Sequence, residues 1–325
     1  MNGRKIGVVF PGFDSQFVGM AKDVYDDSRL VQEYFEEAYN CLGTNFVKLC
    51  FASSDEELAQ IGNGNIALFL ANISLYSLLM ELQIQPDLIV GYGIGHYAAL
   101  FVANGFSLPD ALYLINKYSN FYQEFINQHE FRILEVDGLA LKKLEQTCAA
   151  ISDDLAVTIS HSAKKQLVAG RAKDVKKLEA QLDKLHIISA VHYTEKSLGI
   201  GINAPFCQSL ADNFRIYLEK VDFKDLQLPV LSGISAKIIK TGKMVKKELV
   251  EQIVKPFLWH KIVQKLSDCD ILIEVGPGNY LAQELSVIYP DKLILNVGKK
   301  EDQNHLKMLF DKTDDQEVKH ESNQE

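Results

Sequence analysis

The chain has 325 residues, of which 47% are hydrophobic and 24% charged, a composition typical of a globular protein with a large core. Its formal net charge of −9 at pH 7 argues against nucleic acid as a partner. No uninterrupted apolar run reaches the roughly 18 residues of a membrane span, and the first residues lack the apolar segment and cleavage site of a signal peptide. We therefore predict a cytoplasmic protein that does not bind membranes.

The cysteines are odd in number and widely spaced along the chain. This pattern predicts neither a disulfide framework nor a zinc site, and we expect no metal and no cofactor. Unpaired cysteines are typical of proteins in a reducing cytosol. The five are Cys41, Cys50, Cys148, Cys207 and Cys269.

In the first part of the chain, strand patterns alternate with helix patterns. Residues 6–10 form an apolar, β-branched run that ends at Pro11 and Gly12, which predicts a buried strand. Residues 66–82 lack Gly and Pro and are apolar nearly all round, which predicts a helix buried in the core. A strand at 87–91 precedes a helix at 96–103, and a further helix is predicted at 108–128.

The order of elements changes after residue 130. Strands are predicted at 131–136, 155–159, 166–169 and 187–191, and helices at 139–149 and 172–185. This β-α-β-β-α-β order is the ferredoxin-like unit, so we predict a small inserted domain at 130–197.

The large domain then comprises residues 1–129 and 198–310. Further strands at 228–231, 271–275 and 293–297 predict an α/β fold with a largely parallel sheet. The charged segment 311–325 lacks apolar periodicity and is predicted to be a disordered tail.

One turn in the large domain has the form of a catalytic motif. A buried strand, the sequence GYGIG at 91–95 and a helix follow one another, which is the context of a nucleophile elbow. In such an elbow the middle residue is a serine with an exposed hydroxyl. Here the middle residue is Gly93, which has no side chain that could attack a substrate.

Four segments together resemble malonyl-CoA:acyl carrier protein transacylases and the acyltransferase domains of polyketide synthases. Residues 91–97 are similar to the family's GHSxGEY, and FPGFDSQ at 10–16 is similar to FPGQGSQ. NAPFC at 203–207 is similar to SAPFH, and EVGPG at 274–278 is the family's own sequence. The resemblance implies an α/β-hydrolase-like large domain with a ferredoxin-like small domain.

The resemblance also implies a mechanism that this chain cannot follow in its usual form. In the family a serine attacks a malonyl thioester, a histidine acts as base, and an arginine binds the malonyl carboxylate. Those positions fall on Gly93, Cys207 and Tyr118 in this chain, and the family's oxyanion-hole glutamine falls on Phe13.

Two features of the family's site are retained in the sequence. Gln252 matches the glutamine that orients the base, and the backbone N–H of Ile94 can still face an oxyanion.

Substitute residues are conceivable, and each has a structural alternative. Cys207 is a candidate nucleophile or a small buried residue, and His96 is a candidate base or a solvated or capping residue. His161, where the family has an asparagine near the cleft, is a candidate substrate-binding residue or a partner of Ser162. Lys117 replaces the lost arginine or is a surface lysine.

The leading hypothesis is a catalytically inactive homologue that acts by binding. Its partner would be an acyl carrier protein, a synthase or an acyltransferase of fatty acid or polyketide synthesis, and an acyl-CoA is a further possible ligand. A basic patch at Lys164, Lys165, Lys176 and Lys177 could receive an acidic carrier. The alternative is an active acyltransferase or thioester hydrolase that uses Cys207. We also expect Phe13 and Tyr118 to narrow the acyl end of the cleft.

Overall fold

A computed structural model describes residues 3–128, 130–192 and 202–310. The described chain forms two sheets, one of six strands and one of four, with helices packed against both. The predicted fold class is confirmed.

The large sheet has the strand order β10-β9-β1-β2-β7-β8. All neighbours pair in parallel except β7 and β8, which are antiparallel at one edge. Crossovers between non-consecutive parallel strands explain why helices alternate with strands in the sequence. Its strands are β1 (Ile6–Phe10), β2 (Leu88–Gly91), β7 (Val230–Leu231), β8 (Ile238–Ile239), β9 (Ile271–Glu274) and β10 (Leu293–Asn296).

The small sheet is antiparallel, with the order β4-β5-β3-β6. Two helices, Leu141–Ile151 and Ala172–Lys184, join its strands and complete a ferredoxin-like unit. Its strands are β3 (Phe131–Asp137), β4 (Leu155–Ser160), β5 (Lys165–Arg171) and β6 (Ile188–His192). The predicted domain end at residue 197 and the predicted disordered tail at 311–325 lie outside the described residues.

One apolar helix, Ile61–Glu81, lies at the centre of the large domain. It is long and apolar enough to cross a membrane by length and composition, but 83% of its apolar window is buried inside the protein. Burial on all sides explains why it shows no polar face.

The other helices surround this core, and several begin at a side-chain cap. Ser107, for example, accepts a hydrogen bond from the backbone N–H of Asp110, and Pro109 occupies the first turn, where it is tolerated. The remaining α-helices of the described residues are Lys22–Asp27, Arg29–Leu42, Phe46–Ala52, Asp55–Leu58, Gly95–Val102, Leu108–Asn127, Gln208–Leu218, Gly242–Val254, Trp259–Leu266, Tyr280–Ile288 and Lys300–Phe310, and Pro205–Cys207 is a 3₁₀ turn.

The small sheet contacts the large domain through the backbone of Phe257. Its N–H donates to the carbonyl of Thr158, and its carbonyl accepts from the N–H of Ser160, so β4 continues into the large domain. The carboxyl end of β2 lies close to this junction, because the ring of Tyr92 packs against Phe257. In open parallel sheets, ligand sites form outside the carboxyl ends of strands, so this edge is where a site is expected.

Candidate active site

The turn after β2 has the geometry of a nucleophile elbow. Gly93 has a φ of 54°, in the left-handed region that side chains rarely adopt. The N–H groups of Gly95, His96 and Tyr97 donate to the carbonyls of Tyr92, Gly93 and Ile94, and so close a tight turn into the helix Gly95–Val102. The apex of this turn carries no nucleophilic side chain.

A small cavity of about 40 Å³ lies beside the apex. A site of this size has room for a few ordered waters but is far below the roughly 300 Å³ of an ordinary ligand pocket. Every side chain in its described lining is uncharged. The lining comprises Asn65, Gly93, Ile94, Tyr97, Tyr118, Tyr122, Asn203, Ile234, Gln252 and Phe257.

Two of the retained family positions therefore meet at the cavity, because Ile94 and Gln252 both line it. Asn65 and Tyr97 add polar atoms. The amide Nδ2 of Asn65 donates to Ser119 at 2.9 Å, whereas its Oδ1 and the Tyr97 hydroxyl are buried without a hydrogen-bond partner among the described residues. The cavity thus offers neutral donors and acceptors.

Tyr118 lines the cavity as part of an aromatic group. Its ring stacks on Tyr122 with centroids 5.8 Å apart and meets Phe214 edge-on at 5.8 Å. Burial is the main cause that raises the pKa of Tyr118, so the phenol stays neutral at pH 7. A malonyl carboxylate placed here would be desolvated without a cationic partner, which is costly.

Lys117 does not supply that cation. Its ammonium lies over the rings of Tyr113 and Tyr217, at 5.9 and 5.4 Å from their centroids. Of the two alternatives for Lys117, replacement of the lost arginine is not supported, because Lys117 is not among the described residues that line the cavity.

Cys207 is fully buried and lies outside the described lining of the cavity. Its thiol donates to the carbonyl of Ile202 at 3.1 Å, and burial raises the pKa of Cys207 to about 12. The thiolate is the nucleophilic form of cysteine. The surroundings of Cys207 are thus those of a small packed residue.

His96 is 2% exposed, and neither ring nitrogen has a hydrogen-bond partner among the described residues. Burial lowers the pKa of His96 to about 4, so the imidazole is neutral at pH 7. Both expectations for this residue are wrong: the side chain does not line the cavity as a displaced base, and it is neither solvated nor a helix cap.

Phe13 is buried against the core helix, where its ring occupies the space beside Gly64. It is not among the described residues that line the cavity, so the expectation that Phe13 narrows the cleft is wrong, whereas Tyr118 does line it. The positive φ of the next residue, Asp14 at 80°, turns the loop after β1 at this point.

His161 lies at the boundary between the two domains and does not line the cavity. Its two ring nitrogens contact Tyr280 and Glu284. Pairing with Ser162 is not observed, because the Ser162 hydroxyl accepts hydrogen bonds from the backbone N–H groups of Lys164 and Lys165. In the described part of the chain, no cluster of three or more His, Cys, Asp or Glu could hold a metal ion.

Sequence reasoning missed several of these residues. Asn65 could have been noticed as a polar residue in an otherwise apolar helix, and Asn203 opens a motif that was recognised. Tyr280, Glu284 and Trp259 carried no pattern that joins them to His161, since they come together only when β4 meets the large domain.

The elbow, the parallel sheet and the ferredoxin-like insert define an acyl-transfer scaffold. The acyl transferase domain family matches residues 8–301, and the chain belongs to this family. It is 29% identical over 287 residues to a malonyl CoA-acyl carrier protein transacylase of Bacillus subtilis, covering 86% of this chain and 88% of the relative.

Solved structures show the same fold. An acyl carrier protein S-malonyltransferase from Vibrio cholerae superposes with a TM-score of 0.85 at 22% identity, covering 93% of this chain and 99% of that one. A malonyl-transacylase in complex with a type II polyketide synthase acyl carrier protein superposes with a TM-score of 0.83 at 21% identity, covering 93% and 98%.

Gly91→Ala should destabilise the protein strongly. A Cβ at Gly91 would lie closer than 3.0 Å to the backbone of His96, which cannot move without opening the elbow. Overpacking of this kind costs about 1–3 kcal/mol or more. Gly62→Ala is the control, because no atom lies within 4 Å of its added Cβ and the change should be neutral or stabilising. Equal urea midpoints for the two variants would contradict the expectation.

Cys207 should resist alkylation in the native protein at pH 8. With a pKa of about 12, only about one thiol in ten thousand would be a thiolate at that pH. Cys41 is exposed and serves as the internal control. Treatment with iodoacetamide followed by peptide mapping should label Cys41 first and Cys207 only after unfolding. Labelling of Cys207 as fast as Cys41 would restore it as a candidate nucleophile.

Proposed function

We propose that this protein is a malonyl-CoA:acyl carrier protein transacylase homologue that no longer transfers malonyl groups and acts in the cytoplasm by binding. The observation that carries the proposal is the chemistry of the cavity at Gly93. It offers no nucleophilic side chain, no imidazole and no cation among its described lining residues.

The replacements at the three catalytic positions of the family support the same conclusion. A family member needs a hydroxyl, a base and an anion-binding group at the same place, and removal of one such member typically costs several powers of ten in rate. Once the unit is broken, further losses cost little. The contacts of Cys207 and Tyr118 support this proposal, because the thiol donates to the carbonyl of Ile202 and the phenol ring stacks on Tyr122.

The proposed partner is an acyl carrier protein, or else a synthase or an acyltransferase, of fatty acid or polyketide synthesis. Relatives named as acyl carrier protein transacylases and the neighbour solved with a carrier protein support this choice. Carrier proteins are acidic, so a basic contact surface is required on a chain of net charge −9.

The predicted basic patch of the small domain is only partly available for such a contact. Lys165 pairs with Glu135 and Lys177 with Asp174, so part of its charge is neutralised. Lys164 and Lys176 are exposed and remain the candidates for contact with an acidic partner.

Transfer of malonyl from malonyl-CoA to a holo carrier protein should stay at the level of a control without this protein. The carrier is followed by intact mass, with an active transacylase as the positive control. Calorimetry with the same carrier tests binding separately. Steady malonylation well above the control would overturn the proposal of inactivity, and absence of any binding would remove the carrier protein as partner.

Restoring the missing groups should restore transfer only in combination. Gly93→Ser alone should remain inactive, because no imidazole lines the cavity and a hydroxyl without a base is a weak nucleophile. Gly93→Ser with Cys207→His should give slow acylation, and Tyr118→Arg should be needed before malonyl is preferred over acetyl. Single turnover with each acyl-CoA measures both effects. Full activity from Gly93→Ser alone would contradict this expectation.

A further inference from the structure

Three side chains form a hydrogen-bonded chain at the boundary between the small and large domains. The hydroxyl of Tyr280 lies 3.0 Å from Nε2 of His161, and Nδ1 of His161 lies 3.1 Å from Oε1 of Glu284. His161 follows β4, whereas Tyr280 and Glu284 lie on the first turns of the helix Tyr280–Ile288. The three therefore meet only in the assembled fold.

The hydrogen-bond partners determine which of the three side chains donate and which accept. The carboxylate of Glu284 can only accept, and its Oε1 also accepts from Nε1 of Trp259 at 3.0 Å. Nδ1 of His161 is therefore the protonated nitrogen, as assigned from its partner. Nε2 is left with its lone pair toward the hydroxyl of Tyr280, which donates. A carboxylate, an imidazole and a hydroxyl in this order have the connectivity of an activated nucleophile.

Of the three residues, Tyr280 is the most exposed to solvent. Tyr280 is 54% exposed, whereas the side chains of His161 and Glu284 are 12% and 20% exposed. Tyr280 is therefore the member of the three that a reactant from solution meets most readily. The ring centroids of Trp259 and Tyr92 are 5.3 Å apart. One layer of aromatic rings therefore separates the hydrogen-bonded group of Tyr280, His161 and Glu284 from the elbow.

We propose that Oη of Tyr280 is an acyl acceptor, with His161 as its base and Glu284 as a positioning residue, in a site separate from the cavity at Gly93. The substrate class is the thioester of a short, uncharged acyl group, on CoA or on a carrier protein. The proposal goes beyond the proposed binding function, because it concerns residues on the other side of the aromatic layer.

The reaction balances without any further reagent except water. Oη attacks the thioester carbonyl carbon while its proton passes to Nε2 of His161. Collapse of the intermediate breaks the carbon–sulfur bond, and the proton on Nε2 passes to the leaving thiolate. The products are an acyl ester of Tyr280 and a free thiol. Water, which gives a proton to the same nitrogen, then hydrolyses the ester to the carboxylic acid and restores the hydroxyl.

Two features define what this site requires. Burial raises the pKa of Tyr280 to about 12, so the phenolate is scarce at pH 7 and reaction depends on the base. The carboxylates of Glu284 and Glu135 both act on Tyr280 in the same direction. These negative charges disfavour the carboxylate of a malonyl group, so acetyl should be accepted in preference to malonyl.

The test is acylation of the full-length protein by acetyl-CoA, by malonyl-CoA and by the acetyl group loaded on a carrier protein. Intact mass, peptide mapping and thiol release are followed. We expect acetylation at Tyr280 from one or both acetyl donors and at least tenfold less from malonyl-CoA; the two donors distinguish CoA from the carrier as source. Tyr280→Phe should lose the label, and His161→Asn should slow it about 100-fold.

Matched variants distinguish activation of Tyr280 by His161 from simple exposure of a tyrosine side chain to solvent. Tyr39 is 55% exposed, nearly the same as Tyr280, so Tyr39→Phe should change nothing. Glu284→Gln should lower the maximal rate and leave the half-saturating acetyl-CoA concentration unchanged. Circular dichroism checks folding, and Tyr280→Phe, which keeps the ring, remains informative if His161→Asn does not fold. No acetylation at Tyr280, or an unchanged rate in His161→Asn, would overturn the proposal.

Discussion

The close contact between the end of β2 and the start of the following helix is the constraint on which the site depends. At Gly91 the chain passes so near the backbone of His96 that no side chain fits, and at Gly93 it turns through a positive φ. These demands concern the backbone alone, so they persist whether or not a nucleophile is present at the apex. An elbow is thus evidence of a scaffold and not of an activity.

The surroundings of the apex carry the functional information instead. An acyl-transfer site concentrates charge and perturbed proton affinities at one point. Around Gly93 the described lining consists of amides, phenols, a phenyl ring and aliphatic groups, and the half-buried phenol of Tyr118 is held in its neutral form. Such an interior stabilises a packed structure, in which stacked rings contribute about 0.5–1.5 kcal/mol per pair beyond their burial.

Strands were predictable from the sequence because burial on both faces leaves a run of β-branched residues, as in β1, where all five residues are buried. The orientation of side chains at the site was not. Phe13 and His96 lie within the predicted catalytic motifs, yet both side chains are buried, since one lies against Gly64 and the other is enclosed beside the elbow. The two-residue strand β8 is too short to produce a periodic pattern. Contacts such as His161 with Glu284, 123 positions apart in sequence, depend on how the domains dock.

The aromatic layer formed by Tyr92, Phe257 and Trp259 connects these observations. Phe257 lines the cavity at Gly93, stacks on Trp259 and bonds through its backbone to β4 of the small sheet. Trp259 in turn donates to Glu284, which holds His161. The cavity and the group formed by Tyr280, His161 and Glu284 therefore share one aromatic wall while differing in chemistry: the described lining of the cavity is uncharged, whereas the group at Tyr280 contains an imidazole and a carboxylate. Movement of that wall would therefore reach both sites.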